Sequence, residues 1–299
     1  SSDLNMSEYA EQCVKMYSDL TGVTKFKRAA TPFLPDGSFP PADDDETGEV
    51  ATHACALVMK KLWLARLARP DIIKAINVLS SKIQKWTRND DKRLYRLICY
   101  LHWTIQYGLK GTIGDPPEDL ELSLFVDADF AGDKEDSKST SGVFLVLTGP
   151  NTYFPLTWAT AKQTCTSRST TEAEIVALAL GMFNEAIPAS ILWSLILGRD
   201  IKTRILEDNQ AAITVVKKGF SKKLRHISRT HKVNISSLKE VCVNDQNSDL
   251  AYIETTKQAA DIFTKGLSPS LWDAALDMLG IQKNESLLPQ EGEAPSSKL

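Results

Sequence analysis

Four carboxylates, Asp127, Glu172, Asp208 and Asp261, are the residues of this chain best suited to chemistry. Each opens or closes a predicted element: a strand, two helix starts and a late helix. They are spaced too widely to form a local charge cluster, so only a fold can gather them. Oxygen-only ligands without Cys or His select hard cations such as Mg2+, which keeps part of its water shell and completes its sphere with a substrate phosphate. Singly, each acid has a plainer reading. Asp127 and Asp129 begin the acidic turn AspPheAlaGlyAspLysGluAsp, and Ser169 with Glu172 three residues on is a capping box. Asp208 could cap the helix that follows it, and Asp261 could be a solvated helix residue. Their order and element context, taken together, point to one metal-binding site.

The elements that must position these acids follow from periodicity. In SerLeuPheValAspAlaAspPhe (123–130) side chains alternate, so Asp127 and Asp129 face one side of a strand and Val126 and Ala128 the other. A carboxylate in an apolar strand is costly to bury unless a cation or hydrogen bonds compensate it. Strands are expected at Leu122–Asp127, Val143–Leu147, Tyr153–Trp158, Arg204–Glu207 and Leu250–Ile253. Helices are expected at Ser169–Phe183 and Ala189–Leu197, broken at Pro188, then at Asn209–Lys217, Val233–Val243 and Thr256–Lys265. Three hairpin-linked strands followed by helix–strand–helix units give a mixed α/β sheet with helices packed on it. Upstream the pattern is helical, over Met6–Leu20, Cys55–Leu67, Pro70–Trp86 and Lys92–Tyr107. Residues 30–50, with four prolines and an acidic run, read as a mobile surface segment, and 110–119 as the domain boundary. The polar residues Asn284–Leu299 read as disordered.

Composition bounds the rest. With 299 residues, 42% of them hydrophobic, the chain can bury a sizeable core, in about two domains. A net charge of −3 excludes global attraction to nucleic acid, so any such surface is local. Between Asn209 and Lys239 there is no Asp or Glu, while Lys217, Lys218, Lys222, Lys223, Arg225, Arg229, Lys232 and Lys239 supply eight positive charges. This reversal of sign is a candidate phosphate-tracking surface, its bland alternative being a solvated basic helix face. The five cysteines are isolated and read as reduced core thiols of an intracellular protein, not a zinc site or disulfide frame. No apolar run approaches the roughly 18 residues of a membrane span, and no signal peptide is visible. The start at Ser1-Ser2-Asp3, without methionine, suggests a piece of something longer.

Several segments carry a family resemblance. PheValAspAlaAspPheAlaGlyAsp with LysSerThrSerGly following (125–142), SerArgSerThrThrGluAlaGlu (167–174), GluAspAsnGlnAlaAlaIle (207–213) and AlaAspIlePheThrLys (260–265) resemble the ribonuclease H domain of copia-type retrotransposon Pol polyproteins. Upstream, AlaThrProPhe (30–33), AlaArgProAspIleIleLysAlaIleAsnValLeuSer (68–80) and LeuIleCysTyrLeuHisTrpThrIleGlnTyrGlyLeu (97–109) resemble the reverse transcriptase thumb and connection of the same elements. The resemblance implies a ribonuclease-H-like mixed five-stranded sheet with flanking helices at residues 120–267, preceded by a mainly helical thumb/connection segment at 1–115. A C-terminal helix and tail would occupy 268–299. No TyrXaaAspAsp-like polymerase motif is present.

The resemblance makes Asp127, Glu172, Asp208 and Asp261 both catalytic residues and ligands of two Mg2+ ions, with Mn2+ a possible substitute. Two ions about 4 Å apart would activate water and stabilise the leaving oxygen. Glu174, about 200° around the helix from Glu172, is expected to point away, and Asp129 to tune the first metal. The implied partners are an RNA–DNA hybrid and the missing polymerase part of the polyprotein, with no membrane; the location would be a cytoplasmic particle or the nucleus. Phosphate contacts are expected from the basic stretch, and contacts to the hybrid from Ser167, Ser169, Thr170, Asn209 and Gln210, with 2′-hydroxyls read in the minor groove. Many ribonucleases H carry a histidine before the last helix, whereas GluThrThrLysGln (254–258) has none, leaving water or Lys257. His226 and His231 are expected to be phosphate contacts or surface residues. The competing readings are a catalytically inert or domesticated remnant that binds nucleic acid and, disfavoured by an aspartate as fourth acid, an integrase.

Overall fold

The computed structural model describes residues 2–33, 38, 46–132 and 136–283. The surface segment expected at 30–50 falls partly, and the tail expected at Asn284–Leu299 wholly, outside them. A short strand β1 (Ser2–Leu4) leads into α1 (Ser7–Thr21), which stops at Gly22 in the left-handed conformation, φ 72°. Helices α2 (Ala54–Leu67), α3 (Ile73–Ser81) and α4 (Arg88–Trp103) follow, then strand β2 (Tyr107–Gly111). A capping box between Thr87 and Asp90 starts α4.

The alternating region comprises β3 (Glu121–Asp129), β4 (Thr140–Gly149), β5 (Thr152–Lys162), α5 (Thr170–Leu180), α6 (Ile187–Leu197) and β6 (Thr203–Glu207). After these come α7 (Gln210–Lys218), α8 (Ile227–Thr230), α9 (Ile235–Lys239), β7 (Ser248–Tyr252), α10 (Asp261–Thr264), α11 (Pro269–Leu279) and β8 (Ile281–Lys283). The main sheet has the order β5-β4-β3-β6-β7. β3, β4 and β5 pair antiparallel, and helical crossovers make β6 and β7 parallel to β3. This is the ribonuclease-H-like mixed five-stranded sheet expected from the sequence.

Alternation along the strands feeds two cores. Leu122, Leu124 and Val126 of β3 pack with Ile175, Leu178 and Met182 and with Ala212, Val216 and Leu238 beneath one face. On the other face Phe144, Val146 and Trp158 join Leu64, Ile76 and Leu97 of the amino-terminal helices and Phe263 and Trp272 of the late ones. Trp158 Nε1 donates to Ala65 O (2.8 Å) and Asn77 Nδ2 to Thr160 O (3.2 Å), so the amino-terminal helices are seated directly on the sheet. The C-terminal elements return to them. β8 pairs with β2, and Trp272 of α11 meets the Tyr100 ring edge-on at 5.8 Å.

Four expectations change. Of the cysteines read as core thiols, Cys13, Cys99 and Cys242 are buried, but Cys165 is half-buried and Cys55 exposed. The helix break expected at Pro188 is absent: Gly181–Ala186 forms a π-turn that joins α5 to α6. The wider turn loosens the i→i−4 ladder just before the proline, whose ring would otherwise clash with it. The joined helix, Thr170–Leu197, is 28 residues long, and by length and composition it could cross a membrane. Strict counting of unbroken apolar residues missed it, because Glu172, Glu174, Asn184 and Glu185 interrupt the run. Finally, the last helix expected at Thr256–Lys265 is only the short α10, preceded by a 3-10 turn at Thr255–Lys257. Gln258 leaves the helical region (ψ 96°), and its buried side chain explains why.

Candidate metal centre

Asp127 lies near the end of β3 and is 1% exposed. Its register partner on β4 is Gly142, where a Cβ would come within 2.6 Å of Thr264 Cγ2 and 2.9 Å of Ala260 O. The missing side chain is what lets α10 lie against the sheet beside Asp127. Gln258 fixes that approach: its Nε2 donates to Val126 O (2.9 Å) and its Oε1 accepts from Ala260 N (3.2 Å). The Asp127 carboxylate accepts hydrogen bonds from the Thr264 hydroxyl at Oδ2 and the Lys265 ammonium at Oδ1 (3.1 Å). Asp208 follows β6 and accepts from Thr255 Oγ1 (2.8 Å). Neither Gln258 nor Gly142 was among the residues expected to matter.

The helix acid that the structure brings beside Asp127 and Asp208 is Glu174, not Glu172. One carboxylate oxygen each of Asp127, Glu174 and Asp208 lie within 4.8 Å of one another. Glu172 points elsewhere. Its Oε1 is 3.0 Å from His226 Nε2 and 3.4 Å from His231 Nε2, and its Oε2 accepts from Arg168 N (2.9 Å). His226 and His231 are therefore carboxylate partners that tie the basic stretch to α5. Packing decides the helix rotation. Ala173 and Ala177 sit against Ala128, and a Cβ on Gly181 would come within 2.7 Å of Val126 Cγ1. Gly181 is two turns beyond Glu174, so both share the sheet-facing stripe. That spacing was the signal available in the sequence.

Burial and mutual repulsion set the charge state of the cluster. Burial first, then Glu207, Asp127 and Asp208, pushes the Glu174 carboxyl from its ordinary 4.5 up to about 10. Glu207, buried behind it, is likewise raised well above the ordinary value, by burial and then by Asp208 and Asp127. Burial, followed by Asp127, lifts Asp261 to about 6. Glu174 Oε2 and Glu207 Oε2 are buried without a hydrogen-bond partner. An all-oxygen donor set with an orphaned buried carboxylate oxygen fits a hard divalent cation. Asp261 is not in the three-carboxylate group but is joined to Asp127 through Lys265, which is 2.9 Å from Asp261 Oδ1.

A pH dependence follows. An acid whose folded pKa is raised stabilises the fold below its unfolded value and loses that contribution as pH rises toward the folded one. For Glu174 the window runs from 4.5 to about 10. In chelator, the melting temperature is expected to fall between about pH 7 and 9, and a divalent cation, replacing the proton, should restore it most at the alkaline end. Glu174→Gln should flatten the slope; a wild-type curve already flat over this range would contradict the assignment. Burial lowers the pKa of His231 against the pull of Glu172. Its contribution is complete above its ordinary 6.5 and leaves this window clear.

The cationic residues Lys217, Lys218, Lys222, Lys223, Arg225, Arg229 and Lys232 are all exposed, while Leu224, Ile227, Val233 and Ile235 between them are buried. The segment is thus a packed element with an outward cationic face, and Lys239 is half-buried at its end. Gln210 is exposed, as is Thr170, which lines the open cleft with Asp127, Asp129, Glu174, Asp208, Asn209 and Lys265. Ser169 and Asn209 spend their side-chain oxygens as helix caps, accepting from Glu172 N (3.2 Å) and Ala212 N (3.0 Å). Ser167 is buried and donates to Gln163 Oε1 (2.8 Å), so it is removed from the surface.

No family model matches the chain. Among curated proteins, it is 27% identical over 227 residues to the retrovirus-related Pol polyprotein from transposon RE1 of Arabidopsis thaliana, covering 76% of this chain. It is 26% identical over 255 residues to that from transposon TNT 1-94 of Nicotiana tabacum, covering 82% of this chain. The chain spans only 15% and 18% of those two polyproteins. Similar solved structures include LC11-RNase H1 isolated from compost, at 18% identity and a TM-score of 0.33, covering 52% of this chain and 98% of that one. An N-terminal RNase H domain from Mycobacterium tuberculosis aligns at 14% identity and a TM-score of 0.31, covering 53% and 97%. With relatives extending over three quarters or more of its length, the chain is a homologue of part of the Pol polyproteins of copia-type retrotransposons.

Proposed function

We propose that the chain is a divalent-metal-dependent endoribonuclease that cuts the RNA strand of RNA–DNA hybrids during reverse transcription. The observation that carries this reading is the convergence of Asp127, Glu174 and Asp208, one carboxylate oxygen of each lying within 4.8 Å of the others. A bound Mg2+ or Mn2+ would supply Lewis acidity and a water of lowered pKa. Asp127, Glu174 and Asp208 would hold it, with Asp261 joined to Asp127 through Lys265. The exposed cations from Lys217 to Lys232 would follow the phosphate backbone, anchored to the catalytic helix through His226, His231 and Glu172. Residues before β3, together with α11 and β8, would be the thumb/connection part of the reverse transcriptase, the polymerase acids being supplied from outside this chain.

Cleavage of a labelled hybrid by the purified chain in Mg2+, with Asp208→Asn as control, tests the proposal. The wild type should cut only the RNA strand and the variant should not. Cleavage that persists in Asp208→Asn removes the site, and binding without cleavage by the wild type favours the inert remnant.

A further inference from the structure

Lys265 makes contacts that an ordinary surface lysine has no reason to make. Its pairing with Asp261 alone would be an i,i+4 ion pair, of a kind worth little at a surface. The ammonium, however, reaches past Asp261 to Asp127, which is 1% exposed on β3, and lies 3.1 Å from its Oδ1 while keeping 2.9 Å to Asp261 Oδ1. A cation between two carboxylates in this way is a bridging counterion. The lysine is held there by the last turn of α10: its N–H donates to Asp261 O (2.9 Å), and the hydroxyl of the buried Thr264 beside it shares its proton between Asp127 and Asp261 O. Asp127 therefore stands in two groups, one with the Glu174 and Asp208 carboxylates and the other with the Lys265 ammonium and Asp261.

Building on the metal-centre reading, we propose that Lys265 is the second cation of the centre. The chain then takes up one divalent ion, at Asp127, Glu174 and Asp208, and keeps its own ammonium between Asp127 and Asp261. Charge balance supports a resident cation. Five carboxyl groups (Asp127, Glu174, Glu207, Asp208 and Asp261) act on one another here, and Lys265 is the base that offsets them. Asp261 is then a positioning residue for the lysine, not a metal ligand.

Titration with Mn2+, read from the electron paramagnetic resonance of the free ion, counts the sites without requiring turnover. The wild type should bind one Mn2+ per chain, Lys265→Gln two and Lys265→Arg one. Asp261→Asn should still bind one. Two ions on the wild type, one on a Lys265→Gln chain whose circular dichroism melt shows it folded, or none on Asp261→Asn would each overturn the lysine assignment. No Mn2+ on the wild type would instead sink the metal-centre reading, and this proposal with it.

Discussion

Glu174→Gln and Glu172→Gln, two substitutions two residues apart on one helix, are expected to give opposite phenotypes. Glu174→Gln should reduce single-turnover cleavage of an RNA–DNA hybrid on the order of 10³-fold, about 4 kcal/mol of transition-state stabilisation. The amide keeps the shape of the side chain but cannot supply the anionic oxygen that the Asp127–Glu174–Asp208 group needs. Glu172→Gln leaves that group intact. It removes the charge held between His226 and His231, so the basic segment loses its tie to α5 and hybrid affinity should fall roughly tenfold, with cleavage at saturating hybrid nearly unchanged. The same pair should separate in stability. Because the Glu174 carboxyl is driven up to about 10, the neutral amide relieves repulsion, and Glu174→Gln should melt above the wild type in chelator. An inactive Glu172→Gln beside an active Glu174→Gln would return the helix ligand to Glu172.

These two acids also mark where the sequence stops being legible. The strand acid Asp127 could be placed on its strand from alternation, and a mixed sheet follows from three hairpin-linked strands and later helix–strand–helix units, but the strand order does not. Asp208 falls at the only turn between β6 and α7. On a helix, position depends on rotation, and ThrGluAlaGlu offers two carboxylates on different faces. The family resemblance placed the ligand at Glu172, whose plainer reading was a capping box; Ser169 does cap Glu172 N, but by its hydroxyl alone. The capping reading was right about the helix start and wrong about where the carboxylate goes. Gln258 and Gly142 were illegible for another reason: their importance lies in contacts across 132 residues of sequence in one case and in a side chain that is missing in the other. Lys265 was visible in AlaAspIlePheThrLys, but its reach to Asp127 required α10 to be four residues long and pressed against β4.

Asp71→Asn should be the most destabilising isosteric change in the amino-terminal helices. Arg69 is 1% exposed and Asp71 is completely buried. Arg69 Nη2 lies 2.8 Å from Asp71 Oδ2 and Arg69 Nη1 donates to Thr104 O (2.7 Å). Tyr100 donates to Asp71 Oδ2 (2.7 Å) and accepts from Trp272 Nε1 (3.1 Å), so one carboxylate links the start of α3 to α4 and α11. Neutralising it leaves the guanidinium buried without its counter-charge, a loss of about 3–5 kcal/mol. The expected fall in melting temperature is on the order of 10 °C. A double change, Arg69→Met with Asp71→Leu, removes both charges and should recover most of the loss, which a double-mutant cycle in urea would measure. A single-variant loss below about 1 kcal/mol would show that the pair is not the connection the geometry makes it. The consequence for the centre is indirect. Asn77 of α3 holds β5 through Thr160 O, and the Thr160 hydroxyl donates to Phe263 O (2.7 Å) in α10, the helix carrying Asp261. Cleavage by Asp71→Asn should therefore match the wild type well below its melting point and disappear in step with unfolding, since the substitution touches no carboxylate of the centre.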